Sequence, residues 1–302
     1  MAQERESRSG GGPETLTVAA ADFLSARPLL AGLDAAPALR LRLEPAAALA
    51  GLLRRGEADA ALLPAIDYFR LAADPAERAR SAPTRFVALP IGAVGSSGTA
   101  GAVRLFGYAE KDRLRRVVLD PEGVTAGALA RLIIVRRFGV TPHFVVAGSP
   151  CYAKAAQGKP GAASARPPDA ELLVGDRALA AERPAALWTS DLGEEWRRFT
   201  YLPLVYAFWV ARADGPLDRL VPLLEAARDR GLAAREMLAD EASRPGRGIP
   251  PEVARRHLLR EVRYGFGRRE REGLKLFYRM AAEDGLAPEG ARLRFLRQPP
   301  GA

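Results

Sequence analysis

Two polar positions in this chain combine a residue type with a setting that could do chemistry. Thr125 begins a helical pattern shortly after the strand-like run Arg116-Val117-Val118-Leu119. Free backbone N–H groups and the helix dipole at such a start favour a carboxylate or phosphate. An ordinary N-cap is the other use of a threonine there. Asp176 follows the apolar run Leu172-Leu173-Val174 through Gly175, so it either faces a cleft or caps the next helix.

Other chemical groupings are sparse. No Gly-x-x-x-x-Gly-Lys-Ser/Thr loop is present, and the glycine-rich stretch Gly92–Gly101 lacks the Gly-x-Gly-x-x-Gly spacing of a dinucleotide loop. A Ser-His-Asp triad would need His143 or His257. The first opens a strand and the second sits on an arginine-rich helix, so both read as surface or structural residues. The single cysteine, Cys151, has no basic neighbour to activate it and excludes an intramolecular disulfide. With so few ligating side chains, neither a metal nor any other cofactor is expected.

The elements that must position these residues alternate between strand and helix. Leu16–Ala20, Leu39–Leu43, Asp59–Leu63, Phe86–Leu89, Val103–Phe106, Arg116–Leu119, His143–Val146 and Glu171–Val174 read as strands. Helices are expected after Pro45, ending at Gly56, from Thr125 to Phe138, and almost continuously from Pro216 to Ala282. This alternation implies βαβ units, mostly parallel sheets and ligands at the carboxyl ends of strands. Residues 153–168 are low in complexity and read as a surface loop.

The 302 residues are 48% hydrophobic, enough for a sizeable core, and carry a net charge of +9. Part of that surplus lies between Arg244 and Arg271, where nine arginines face Glu252, Glu261 and Glu270. No aromatic ladder interleaves with them, so they read as solvated helix faces and no nucleic-acid partner is expected. The longest apolar stretch, Leu202–Ala211, is interrupted by Pro203 and is far short of the ~20 residues of a membrane span. The polar first residues contain no secretory signal, so a cytoplasmic protein without membrane contact is expected.

Several segments together resemble one family. Asp191-Leu192-Gly193-Glu194-Glu195-Trp196, with Thr200, Leu202-Pro203 and Val205-Tyr206-Ala207-Phe208-Trp209-Val210-Ala211-Arg212, resembles a signature DLGxxWxxxTGLPFVFAxWxAR. Gly56–Pro64 with Asp67-Tyr68 resembles GxxDxALxPxxEY, and Leu172–Leu179 resembles LLIGDxAL. Phe23–Leu29 resembles an opening FLNxxPL, and Arg263–Gly267 a late RYxxG turn. The family is that of the chorismate dehydratases of the futalosine route to menaquinone, and the match spans roughly residues 16–285.

The resemblance implies an α/β, two-lobed, periplasmic-binding-protein-like type II fold with a ligand cleft between the lobes. Lobe one would hold residues 14–97 and 207–292 and lobe two 98–206, with a disordered tail at 1–13 and an irregular one at 293–302. The implied activity is that of a carbon–oxygen hydro-lyase without cofactor, converting the dicarboxylate chorismate to 3-[(1-carboxyvinyl)oxy]benzoate. The implied site residues are Ser25, as a catalytic and binding group, with Gly101, Ala102, Thr125, Ala126 and Asp176 binding substrate. Three of these depart from the family pattern, which carries Asn at Ser25 and Ser at Ala102 and Ala126. A non-catalytic binding protein for a small carboxylate and a 1,4-dihydroxy-6-naphthoate synthase are the competing readings.

Overall fold

The structure, a computed structural model, describes residues 15–73, 85–149, 168–244 and 248–296. The expected tail at 1–13, Cys151 and nearly all of the low-complexity stretch lie outside these residues. Two sheets are present. The first contains β1 (Leu16–Ala20), β2 (Leu39–Leu43), β3 (Ala60–Pro64), β4 (Phe86–Ser96), β10 (Leu204–Arg212) and β11 (Val262–Arg263), in the order β11-β4-β10-β3-β1-β2. The second contains β5 (Val103–Gly107), β6 (Arg116–Leu119), β7 (His143–Val146), β8 (Ala170–Val174) and β9 (Trp188–Asp191), in the order β7-β6-β8-β5-β9.

Sequence pattern accounts for the central strands. β3 is buried at all five positions, as expected of an apolar run covered on both faces. The helix after it, Ala65–Ala72, stands between the lobes, whereas Leu49–Arg55 stops at Gly56 in the left-handed conformation (φ 73°). That stop is the one the glycine predicts.

The sheets are mixed, not mostly parallel. β1 pairs in parallel with β2 and β3, and β6 with β7 and β8. However, β10 runs antiparallel to both β3 and β4, and β5 antiparallel to β8 and β9. The reason is the path of the chain. It leaves the first sheet along β4, builds the second, and returns along β10, so no helical crossover sets the direction of these strands. β4 is also longer than its apolar run, taking in Gly92 and Gly95. A Cβ on Gly95 would lie 2.6 Å from the Leu204 carbonyl oxygen, so the glycine permits the close pairing of β4 with β10. β10 enters the first sheet at Leu204, opposite Ser96. Of the irregular tail expected at 293–302, the described residues 293–296 form no helix or strand and make a single bridge to β4 at Phe295. Ala88 N donates to Arg294 O (2.8 Å), Leu296 N donates to Ala88 O (2.9 Å), and Phe295 joins the core.

The two crossings meet at the DLG segment. Asp191 caps the helix Leu192–Thr200 by accepting from Gly193 N and Glu194 N (both 3.0 Å). The same carboxylate accepts from Ala100 N (2.9 Å) and Gly101 N (2.7 Å) on the outgoing crossing. Gly193 leaves the room this needs, since a Cβ there would meet Gly98 O at 2.5 Å and Ser96 Oγ at 2.6 Å. Leu192 and Trp196 are buried, and Trp196 packs edge-on against Phe277 at 6.0 Å. Phe277 lies on the last helix, Arg268–Glu283, which continues into lobe two through Arg136 ion pairs to Glu283 (2.9 Å) and Asp284. Tyr201 ends the DLG helix at φ 60°, where the family signature carries Gly, and its side chain is 73% exposed.

Two stability measurements test this description. Asp191→Asn places an amide NH2 against backbone N–H donors and should cost about 3 kcal/mol in urea unfolding, as for charge-assisted bonds lost in a buried setting. Tyr201→Gly should instead raise stability by about 0.5–1 kcal/mol, because it relieves a left-handed backbone without removing buried contacts.

Candidate functional site

The lobes face each other across a cavity of about 770 Å³, its open mouth included. Its walls are mainly apolar, with contributions from Phe23, Leu62, Pro64, Val94, Val103 and Val174. The polar side chains of the wall are Ser25, Thr125, Tyr206, His257 and Glu122.

Lobe two contributes a helix start at the carboxyl end of β6. Asp120 ends that strand, is 4% exposed, and accepts from Glu122 N (3.0 Å) and Val174 N (3.1 Å) while pairing with Arg177. This turn delivers Gly123, the residue before the helix Val124–Arg136, whose first turn has no side-chain cap. A Cβ on Gly123 would lie 2.9 Å from Val174 Cγ1, so the glycine lets the helix start approach β8. The uncapped N–H groups of residues 124–126 therefore stand at the cavity wall, the setting in which a helix start holds an anion.

Thr125 is not the cap, and its hydroxyl is committed elsewhere. It donates to Tyr206 O (3.0 Å) on β10 and accepts from Ile66 N (3.4 Å), tying lobe two to the hinge strand and to lobe one. Thr125 is 3% exposed and is counted in the cavity wall. Ala126 and Ala102 line the same cavity and present no polar side-chain atom to it. The carbonyl of Ala102 accepts from Gly175 N (2.8 Å).

Ser25 approaches from the loop after β1. Its carbonyl accepts from the Tyr264 hydroxyl (3.0 Å), which fixes the loop, and its own hydroxyl has no partner among the described residues. Ser25, Ala102, Thr125 and Ala126 are thus brought together around one cavity. Gly101 and Asp176 are not part of its lining. The Gly101 N–H is taken by Asp191, and Asp176 Oδ1 accepts from Leu24 N (2.8 Å), bridging the lobes. Asp176 is therefore neither a free cleft carboxylate nor a helix cap. Burial pushes its carboxyl above the usual carboxylate range, with the Leu24 bond acting against that rise.

Further cross-lobe contacts close the mouth. Glu122 accepts from Ala46 N (3.0 Å), and the Phe23 ring fills the place where Gly175 (φ 60°) would carry a Cβ. Tyr206 pairs with Ser96 Oγ (3.2 Å), and burial, reinforced by the Asp191 charge, raises its phenol far above neutrality. It can donate a hydrogen bond but is no base.

The sequence pattern places His257 outside the chemistry, yet the structure puts it in the cavity wall at 1% exposure. It opens the π-helical turn His257–Glu261, with Nδ1 3.3 Å from Glu261 Oε2. The signal available in sequence was the i,i+4 spacing of His and Glu just before the RYxxG turn, masked by the surrounding arginines. His143, by contrast, is exposed on β7. No helix among the described residues is long and apolar enough to cross a membrane.

Comparison with known proteins places this architecture. A family model described as menaquinone biosynthesis matches residues 16–283. Among solved structures, the chain is similar to protein AF1704 from Archaeoglobus fulgidus, at 18% identity, 90% coverage of this chain, 98% of that one and a TM-score of 0.66. It is also similar to the alkanesulfonate-binding protein SsuA from Xanthomonas axonopodis pv. citri, bound to MOPS, at 14% identity, 93% and 96% coverage and a TM-score of 0.57. The Candida albicans CA3427 product, described as having the generic periplasmic binding protein fold, matches at 14% identity, 91% and 92% coverage and a TM-score of 0.55. These likenesses establish the periplasmic-binding-protein fold with its cleft between two lobes. On the extent of the family match, the chain belongs to the menaquinone biosynthesis family.

Proposed function

We propose that the protein is a chorismate dehydratase, a lyase that removes water from chorismate to give 3-[(1-carboxyvinyl)oxy]benzoate, acting in the cytoplasm without a cofactor. The observation that carries this reading is the uncapped helix start at residues 124–126, set in an apolar cavity between two lobes. Loss of water from chorismate yields an aromatic ring, so the driving force resides in the substrate. The protein has to orient carboxylates and exclude water, and the substrate's own enolpyruvyl carboxylate can take the ring proton. In this reading the N–H groups of residues 124–126 hold one carboxylate, and the free Ser25 hydroxyl meets the ring hydroxyl or ether oxygen. Ala102 and Ala126 bring no hydroxyl where the family pattern carries Ser. Those losses favour, as a second reading, a protein of the same fold that binds a small carboxylate without turning it over.

Incubation with chorismate separates the two. The dehydratase reading expects stoichiometric appearance of the aromatic dicarboxylate, followed by absorbance and mass; chorismate that binds in calorimetry but is recovered intact supports the binding protein. Val124→Pro deletes one N–H at the first helical position, where proline fits the backbone. It should weaken binding of the aromatic product by about 1.5–3 kcal/mol and leave the unfolding midpoint nearly unchanged. Unaltered affinity would remove the helix start from the site.

A further inference from the structure

The cavity has an uncapped helix start in one wall but no arginine or lysine among the described residues of its lining, and Glu122 is turned toward Ala46 N. A dicarboxylate would therefore leave one of its charges without a partner at the helix start. His257 supplies what is missing. Its side chain is 1% exposed, it lines this same cavity, and its Nε2 is buried with no hydrogen-bond partner among the described residues. A buried polar nitrogen left unpaired is costly, and a ligand group at that atom removes the cost.

The ring is held as a built site requires. Nδ1 faces Glu261 Oε2 at 3.3 Å, and Glu261 is gripped on its other oxygen by Arg256 at 2.9 Å. Burial raises the Glu261 carboxyl, but the histidine and Arg256 together outweigh it and leave the group below the ordinary range. An ionised Glu261 fixes a proton on Nδ1 and directs Nε2 away from itself. The outgoing crossing makes room for the pair through Gly101 (φ 68°), where a Cβ would lie 2.0 Å from Glu261 Oε2 and 3.3 Å from Nδ1. The charged groups around the ring are Glu261 and Arg256 on its own segment and Asp176 from lobe two, with Arg104 and Asp191 behind Glu261.

We propose that His257, held by Glu261 through Nδ1, donates through Nε2 to the second carboxylate of the ligand. This rests on the dicarboxylate reading above. The test is calorimetry with 3-[(1-carboxyvinyl)oxy]benzoate and two monoacids, 3-methoxybenzoate and 2-phenoxyacrylate, each of which keeps one of its carboxylates. His257→Gln, which retains a neutral amide near Nε2, and His257→Phe, which fills the space, should each weaken the dicarboxylate by roughly tenfold to a hundredfold. The loss should extend to one monoacid and spare the other, and the unfolding midpoint should not fall in His257→Phe. Unchanged dicarboxylate affinity in the variants, or equal loss of all three compounds, overturns the assignment. Wild-type turnover of chorismate with unaffected variants would overturn it alone; wild-type protein that binds none of the three overturns the dicarboxylate reading as well.

Discussion

Four backbone N–H groups converge on the Asp191 carboxylate, and both crossings between the lobes are fixed by it. Two of the donors start the helix Leu192–Thr200 and two belong to the loop that leads into lobe two. A buried carboxylate is tolerated there because the donors offset its desolvation, although burial still holds its pKa above the usual range. The rest of the site follows from this hub. It aligns Ala100–Ala102 along the cavity, and Gly101 in turn passes beside Glu261 and His257. The DLG signature thus reads as one acceptor, one buried leucine and one position where a Cβ would collide with the first crossing.

Closure rests on a different and weaker set of bonds. Asp176 to Leu24, Glu122 to Ala46, and Thr125 to Tyr206 and Ile66 each join the lobes through a backbone group. Bonds of this kind contribute about 1 kcal/mol net, or 1.5–3 where a charge is involved, so their sum is small enough to be broken for ligand exchange. The last helix and the Asp191 hub span the lobes more firmly, through the Phe277–Trp196 contact and the Arg136 ion pairs. The contacts between the lobes are therefore divided between a heavily bonded hinge and a mouth joined by a few single hydrogen bonds, a division that suits the proposed function.

Much of this was legible in the residues. The buried runs of β1 and β3, the Gly56 helix stop and the helix opening at Val124 follow from local pattern. Other features depend on partners distant in the chain. Gly92 and Gly95 resemble a loop until Leu204 is seen pressing against β4, and Phe295 has no local reason to join the core. Thr125 carries the signal of a cap, but its hydroxyl is drawn to Tyr206 and Ile66 on other elements. Asp176 is bonded through Oδ1 to the N–H of Leu24, 152 residues away in sequence, a partner that no local pattern shows. His257 was hidden by composition: among so many arginines its burial could not be read, and only the π-helical turn brings it to face Glu261 and the cavity.

In the proposed function a carboxylate-bearing ligand lies between the lobes against the helix start at Val124–Ala126. A crystal structure of the protein with 3-[(1-carboxyvinyl)oxy]benzoate addresses it most directly. One carboxylate is expected within hydrogen-bonding distance of the backbone N–H groups of residues 124–126, with the ring enclosed by the apolar wall that includes Phe23 and Val174. A ligand bound outside this cavity, or one whose carboxylates avoid the helix start while its ring occupies the cleft, would contradict it.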